Sequence, residues 1–195
     1  MYSPLPPAAL DQLFLEARTR NAWTDRPVTD ADIRKIYELT KFGPTAANAS
    51  PARFVWIRSP EAKARLEPLL SDGNRAKTMA APATVIVAYD VEFSPTMATL
   101  FPHAPDAVNW FPGDAARAEA LRSGTLQGAY VMMAARALGF DCGPMAGFDN
   151  EGVDREFLAG AGWRSNFLCN IGEGTDENLF PRLPRLDFEE VNRLL

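Results

Sequence analysis

Ala83-Thr-Val-Ile-Val-Ala-Tyr89 carries no charge, glycine or proline, and four of its seven residues are β-branched. Such side chains fit a pleated strand. Because both alternate sets are apolar, the strand is expected to be buried on both faces. Upstream, Asn74 to Ala80 and Glu61 to Leu70 look helical, and Arg53-Phe-Val-Trp-Ile-Arg58 is a second β-branched and aromatic run, read as a strand. Thr29-Asp-Ala-Asp32 fits a capping box, which opens a helix with Ile33, Ile36, Tyr37 and Thr40 on its buried face. Gly43-Pro44 stops that helix. Ala8 to Arg20 also has helical spacing, with Leu10, Leu13, Phe14 and Ala17 in phase.

Downstream, Asp90 to Gly113 has prolines at 95, 102, 105 and 112 and aromatics at 93, 101, 110 and 111. An irregular segment of this kind is expected to be a lid or a binding loop. A long helix from Asp114 to Leu138 follows, closed by Gly139, with Leu126, Ala129, Tyr130, Met133 and Ala137 as its core stripe. Gly124, Gly128 and Ala129 make one part small-sided, as close approach by another backbone would require, and a dimer mate could supply it. Gly143-Pro-Met-Ala-Gly147-Phe-Asp149 reads as a glycine-rich turn, Asn150 to Ala159 as a helix, and Asn166-Phe-Leu-Cys-Asn-Ile-Gly172 as the third strand. The tail from Glu173 is irregular, yet Phe180, Leu183, Leu186 and Phe188 need burial. Helices alternating with few strands leave an α/β or α+β domain. Gly172-Glu-Gly174-Thr-Asp-Glu177 begins like a dinucleotide fingerprint but lacks the third glycine and a following β-α-β unit.

Composition narrows the chemistry. At 195 residues the chain suits one domain, residues 1–195. A net charge of −5 argues against a nucleic-acid partner. No stretch is long and apolar enough to span a bilayer, and Met1-Tyr-Ser-Pro-Leu-Pro-Pro7 does not read as a signal peptide, so a cytoplasmic protein is expected. Cys142 and Cys169 read as two buried thiols rather than a disulfide or metal pair, and no metal site is expected. His103 is the only histidine, lies in Phe101-Pro-His-Ala-Pro105, and has no nucleophile elbow to serve. It reads as a loop-packing or solvent-facing side chain.

Four segments have residues suited to one ligand, FMN. Arg18-Thr-Arg20-Asn21 and Arg182-Leu-Pro-Arg185 offer guanidinium forks and a hydroxyl for its phosphate. Gly43-Pro44-Thr45-Ala-Ala-Asn48-Ala-Ser50-Pro51 offers small residues for close approach to a flat ring, and an amide matched to a pyrimidine edge. Asn74 and Lys77 share a helix face, and the lysine could stabilise a reduced ring. The turn at Gly143 could present backbone N–H groups. Taken singly, each segment also suits an ordinary surface or loop.

In this order, the arginine-rich start, P-T-x-x-N-x-S-P-x-R-F, N-x-x-K, G-P-M-x-G-F-D and the terminal arginine pair resemble the nitroreductase family, from about Leu10 to Leu195. The resemblance implies an α+β fold with a mixed central sheet flanked by helices, and an interlocked homodimer with C-terminal segment exchange. It implies FMN phosphate contacts from Arg18, Thr19, Arg20, Arg182 and Arg185, and ring and ribityl contacts from Asn74, Lys77, Pro144, Met145 and Gly147. Pro44, Thr45, Asn48 and Ser50 would reach the flavin from the partner subunit. The implied activity is ping-pong transfer of hydride from NADPH or NADH to a small acceptor, with no side chain assigned as acid, base or nucleophile. Ser50 and Ala52 depart from the glutamine and aromatic common in the family.

Among the branches, the Arg18–Asp25, Gly43–Phe54 and Asp141–Phe148 stretches are most similar to malonic semialdehyde reductases of pyrimidine degradation. That branch implies reduction of 3-oxopropanoate to 3-hydroxypropanoate. The alternatives are a broad nitroaromatic, quinone or enone reductase, and a non-catalytic flavin-binding protein.

Overall fold

Val85 and Val87 face one helical layer while Ile86 and Ala88 face another, and this period-two alternation sets the architecture. The computed structural model describes residues 3–195, so the leader reading rests in part on residues 1 and 2, outside the described residues. In chain order the elements are α1 (Pro7–Leu10), α2 (Asp30–Thr40), β1 (Ala52–Ile57), α3 (Pro60–Leu66), α4 (Asp72–Ala80) and β2 (Ala83–Asp90). There follow α5 (Met97–Leu100), α6 (Asp114–Ala137), β3 (Asp141–Met145), α7 (Asn150–Phe157), β4 (Trp163–Gly172) and α8 (Phe188–Val191). The strands form one sheet in the order β1-β2-β4-β3. The α+β class expected from the sequence is observed. All three strand pairings are antiparallel, and the isolated parallel contact is the Thr19–Cys142 bridge.

One face of the sheet packs on α2 and α6, through Ile36, Val131, Ala134 and Ala135 against Ala83, Val85 and Val87. The other face packs on α3 and α7, through Leu66, Val153 and Leu158 against Ile57, Ile86 and Leu168. The expected capping box opens α2: Thr29 Oγ1 accepts the Asp32 N–H at 3.2 Å and Asp32 Oδ2 accepts the Thr29 N–H at 3.0 Å. Cys142 and Cys169 are both buried and free, as expected. Among the described residues, no helix is long and apolar enough to cross a membrane.

The structure corrects several local readings. Asp141–Met145 is a strand, not a turn; its glycine and proline read as breakers, but β3 is an edge strand, where proline's missing N–H leaves no partner wanting. β4 begins at Trp163 rather than Asn166, because a bulge skips Asn166 and lets pairing continue. The helix expected over residues 8–20 is α1 plus one π turn, Asp11–Leu15. The 90–113 segment contains α5 and two 3₁₀ turns, and it buries Phe93, Met97 and Ala107 against Ala116 and Ala120 of α6.

The largest correction concerns α6. The expected core stripe faces outward: Leu126 is 46% and Tyr130 39% exposed, and Ala129 and Ala137 are exposed too. The sheet-facing side is Ala116, Ala120, Gly124, Gly128, Val131 and Ala135. A Cβ on Gly128 would lie 2.7 Å from the Phe167 ring and 2.9 Å from a Val87 methyl; on Gly124 it would lie 3.0 Å from the Tyr89 Cβ. The close neighbours of these glycines are therefore side chains of β2 and β4 in the same chain. Gly128→Val is expected to lower unfolding stability by about 2 kcal/mol through overpacking. Gly73→Ala, with nothing within 4 Å of its added Cβ, should be neutral or gain about 0.5 kcal/mol. Denaturant unfolding of the two variants checks both.

Candidate functional site

The C-terminal tail crosses the N-terminal segment, and arginines from each tie the two together. Arg18 donates to the Phe180 carbonyl, and Arg182 donates to the carbonyls of Leu15 and Ala17. Beneath this clasp lies a cavity of about 630 Å³ lined by Arg18, Thr19, Asn21, Lys77, Arg136, Arg182 and Arg185 together with Leu13, Phe14 and Phe180. Five of the residues expected at a phosphate or ring, namely Arg18, Thr19, Lys77, Arg182 and Arg185, are thus brought to one cavity. No carboxylate lines it. Among the described residues, none of the five cations has an acidic partner within 4.0 Å, whereas ten of the other fifteen arginines and lysines do.

Arg136 was not anticipated. It sits near the end of α6, where it donates to the Leu13 carbonyl at 3.4 Å. Its only sequence signal is a charge interrupting the apolar run Tyr130 to Phe140. Arg20, by contrast, does not line the cavity. It pairs with Asp141 at 3.4 Å and with Asp176, and donates to the Thr175 carbonyl at 3.2 Å. Burial alone would lower its pKa, but Asp176 and Asp141 outweigh that and raise it. Arg20 fastens the start of the chain to β3 and the tail.

Lys77 is placed by the packing of α4. Its carbonyl accepts the Trp23 indole N–H at 3.1 Å, and buried Asn170 reaches the same carbonyl at 3.4 Å and Thr78 Oγ1 at 3.2 Å. Buried Lys63 donates to the carbonyls of Thr78 and Met79, both at 3.1 Å, and of Ala81, capping the end of α4 where the helix dipole favours a cation. Burial lowers the pKa of Lys63 and of Lys77. Asn74 donates to the Gly147 carbonyl at 2.9 Å, and Thr78 Oγ1 meets Met145 Sδ at 3.3 Å, so Asn74, Pro144, Met145 and Gly147 gather along β3 and the turn after it. A Cβ at Gly147 would lie 2.6 Å from the Asn74 amide.

Pro44, Thr45, Asn48 and Ser50 are elsewhere. Their loop leads into β1, at the opposite edge of the sheet from β3. Three strand spacings separate those edges, about 14 Å at the usual interval. A larger cavity of about 890 Å³ lies between α2 and β1, lined by Ile33, Tyr37, Phe54, Trp56 and Val131 with both signs of charge from Asp30, Arg34 and Glu38. It holds none of the expected site residues. The cationic cavity, smaller but of one sign, gathers five of the expected residues.

Comparison with known proteins agrees with this placement of the fold. Residues 16–173 match the model of the nitroreductase family. The chain belongs to the nitroreductase family. A relative from Caulobacter sp. (strain K31), provisionally named NADH dehydrogenase/NAD(P)H nitroreductase, is 59% identical over 193 residues, 98% of each chain. Two of the solved structures to which the chain is similar illustrate the fold. One, provisionally named a nitroreductase, from Bacillus subtilis, has a TM-score of 0.86 at 22% identity, covering 96% of this chain and 99% of that one. The other, from Exiguobacterium sibiricum 255-15, was solved in complex with FMN and has a TM-score of 0.85 at 20% identity, covering all of both chains.

If Arg20 is a fastener of this nitroreductase-family chain, Arg20→Met should cost roughly 1–2 kcal/mol of unfolding stability, the worth of its charged hydrogen bonds. At temperatures where the variant stays folded, its phosphate-ester affinity should match that of the wild type, as isothermal titration would measure.

Proposed function

We propose that the chain is an FMN-dependent oxidoreductase that moves hydride from NADPH or NADH to a small acceptor, with residues 1–195 acting as one FMN-binding domain. The observation that carries this reading is the single-signed cavity: five cations and the Thr19 hydroxyl, without a carboxylate, in a chain whose net charge is −5. Such a field suits a phosphate monoester. Arg18, Arg182 and Arg185 offer forks to its oxygens, and Lys77 and Arg136 add charge. Asn74, Pro144, Met145 and Gly147 extend the site along β3 toward a ring and its ribityl chain. When bound, FMN supplies the redox chemistry, and the protein supplies orientation and charge. Lys77 would stabilise negative charge on the pyrimidine side.

A homodimer completes this reading. Pro44, Thr45, Asn48 and Ser50 lie at the far edge of the sheet, so a second copy is the natural source of their contact with the same flavin. Apolar exposure supports it: Phe42 is 75% and Phe180 74% exposed, and Leu126 and Tyr130 of α6 face outward. The apolar end of the tail, with Leu186 and Phe188 exposed beyond Arg185, suits exchange onto a partner, and the groove between α2 and the open edge of β1 is a fitting place for it.

For the acceptor, the motif resemblance favours a short oxo acid, 3-oxopropanoate, reduced in the cytoplasm during pyrimidine degradation. The name of the Caulobacter relative instead favours broader reductase activity on flat acceptors such as nitroaromatics.

The deciding experiment is anaerobic. The purified protein should be yellow, bleach with NADPH or NADH, and regain colour with 3-oxopropanoate. Colour regained only with nitroaromatics, quinones or enones would move the acceptor to the broader class. Tight FMN without bleaching would make it a flavin-binding protein, and a colourless protein that takes up no FMN would overturn the proposal. Arg18→Ala combined with Arg185→Ala should weaken FMN retention by about 100-fold, two charged hydrogen bonds' worth. Because burial lowers the Lys77 pKa and a bound phosphate would raise it again, binding takes up a proton only at pH values above the lowered pKa. FMN affinity should therefore fall as pH rises through the lowered pKa of Lys77, and Lys77→Arg should flatten that fall.

A further inference from the structure

Glu119, Ser123 and Gln127 recur at every fourth residue of α6 and so form one stripe on a helix face otherwise built of alanine and glycine. All three are buried. Buried polar groups are costly unless paired, and each of these has a partner. Gln127 Oε1 accepts the Ala52 N–H at 2.9 Å, and Ser123 Oγ accepts the Ala46 N–H at 3.3 Å. Ser123 donates its own proton to Glu119 Oε1 at 2.6 Å, which leaves its lone pairs for Ala46. Arg122 donates to Glu119 Oε2 at 2.7 Å.

The two amides so held bracket a strained loop. Ala47, Asn48 and Ser50 have φ of 46°, 53° and 44°, a region that side-chain-bearing residues rarely adopt. Thr45 Oγ1 accepts the Ser50 N–H at 3.1 Å inside the loop, and Ala49 is buried with Ala116 and Ala120 beneath it. Strain of this kind persists only where the surroundings over-determine it.

We infer that Glu119, Ser123 and Gln127 are positioning residues, which lock the 45–52 loop in its left-handed conformation and so place the wall that a second subunit presents to the flavin ring. The inference rests on the FMN reading above for the identity of the ring, and on hydrogen bonds alone for the latch.

Two measurements separate these parts. Hydrogen exchange on the flavin-free protein reads the latch. Ala52 should exchange about tenfold faster in Gln127→Leu, and Ala46 likewise in Ser123→Ala, each having lost one buried acceptor. Gln127→Glu, which keeps an acceptor, should restore protection at Ala52. In the FMN-loaded protein, the phosphate cluster is untouched, so affinity should change by less than about threefold in Ser123→Ala and Gln127→Leu. The visible circular dichroism of the flavin should change, and reduction by NADPH should slow by about tenfold through loss of orientation. Unchanged exchange in both variants would overturn the latch. Faster exchange with wild-type dichroism and reduction would overturn the positioning role. A wild-type protein that takes up no FMN would remove the flavin from the inference, while the exchange result would still decide the latch.

Discussion

The contact of Gly124 and Gly128 with Tyr89, Val87 and Phe167 is the constraint on which the rest of the structure depends. Without side chains at these two positions, α6 comes close enough to β2 and β4 that one more carbon would collide with them. A helix so close to a sheet can present only small residues to it, and α6 presents alanine and glycine with Val131. Its large apolar residues are then forced to the other side. Leu126 and Tyr130 are exposed because the glycines are buried. The exposed apolar face is therefore a consequence of how the chain's own core closes, and it leaves a surface suited to another copy.

The same rotation turns Glu119, Ser123 and Gln127 inward beside the loop before β1. Polar side chains in that position would be a liability in a plain core, but here Ser123 and Gln127 accept from the backbone amides at the two ends of the loop, and Glu119 holds Ser123. One helix orientation thus accounts for a surface, a sheet contact and a fixed loop. At its far end, α6 also delivers Arg136 to the cationic cavity, where the N-terminal segment, α4 and the tail contribute the other charges.

How much of this was legible in the sequence follows from what sets each feature. The β2 run, the Thr29–Asp32 capping box and the two buried thiols are fixed by local composition, and they appear as read. β3 was missed because Gly143 and Pro144 are breakers in any strand except one at a sheet edge, and edge position is a tertiary fact. The α6 stripe was inverted for a similar reason: periodicity shows that a helix has two faces, but the larger apolar residues mark the core only when the helix stands off from its neighbour. Gly124 and Gly128 at spacing four carried the correct signal, together with Glu119, Ser123 and Gln127 at the same spacing. For the candidate site, Arg18, Thr19, Lys77, Arg182 and Arg185 converge in one cavity. Arg20 shares their segment but is turned toward Asp141 and Asp176, a choice set by carboxylates more than 100 residues away in the chain.

The division of the expected site between two edges of the sheet has a chemical consequence. On the proposed FMN reading, the cationic half would hold the phosphate independently of the loop before β1, which contributes no residue to the lining of that cavity. That loop is in turn joined to the 90–113 segment: the Asn48 amide donates to the Leu100 carbonyl at 2.9 Å, and Phe101 packs at a tilt against His103 and meets the edge of Trp110 just beyond it. An Asn48 amide held in this way keeps one N–H and its carbonyl oxygen free for a ring. The loop and the aromatic segment therefore form one wall, anchored from beneath by α6 and Ala49. On the proposed FMN reading, substitutions in that wall would alter what meets the ring without disturbing the charges that would retain the cofactor.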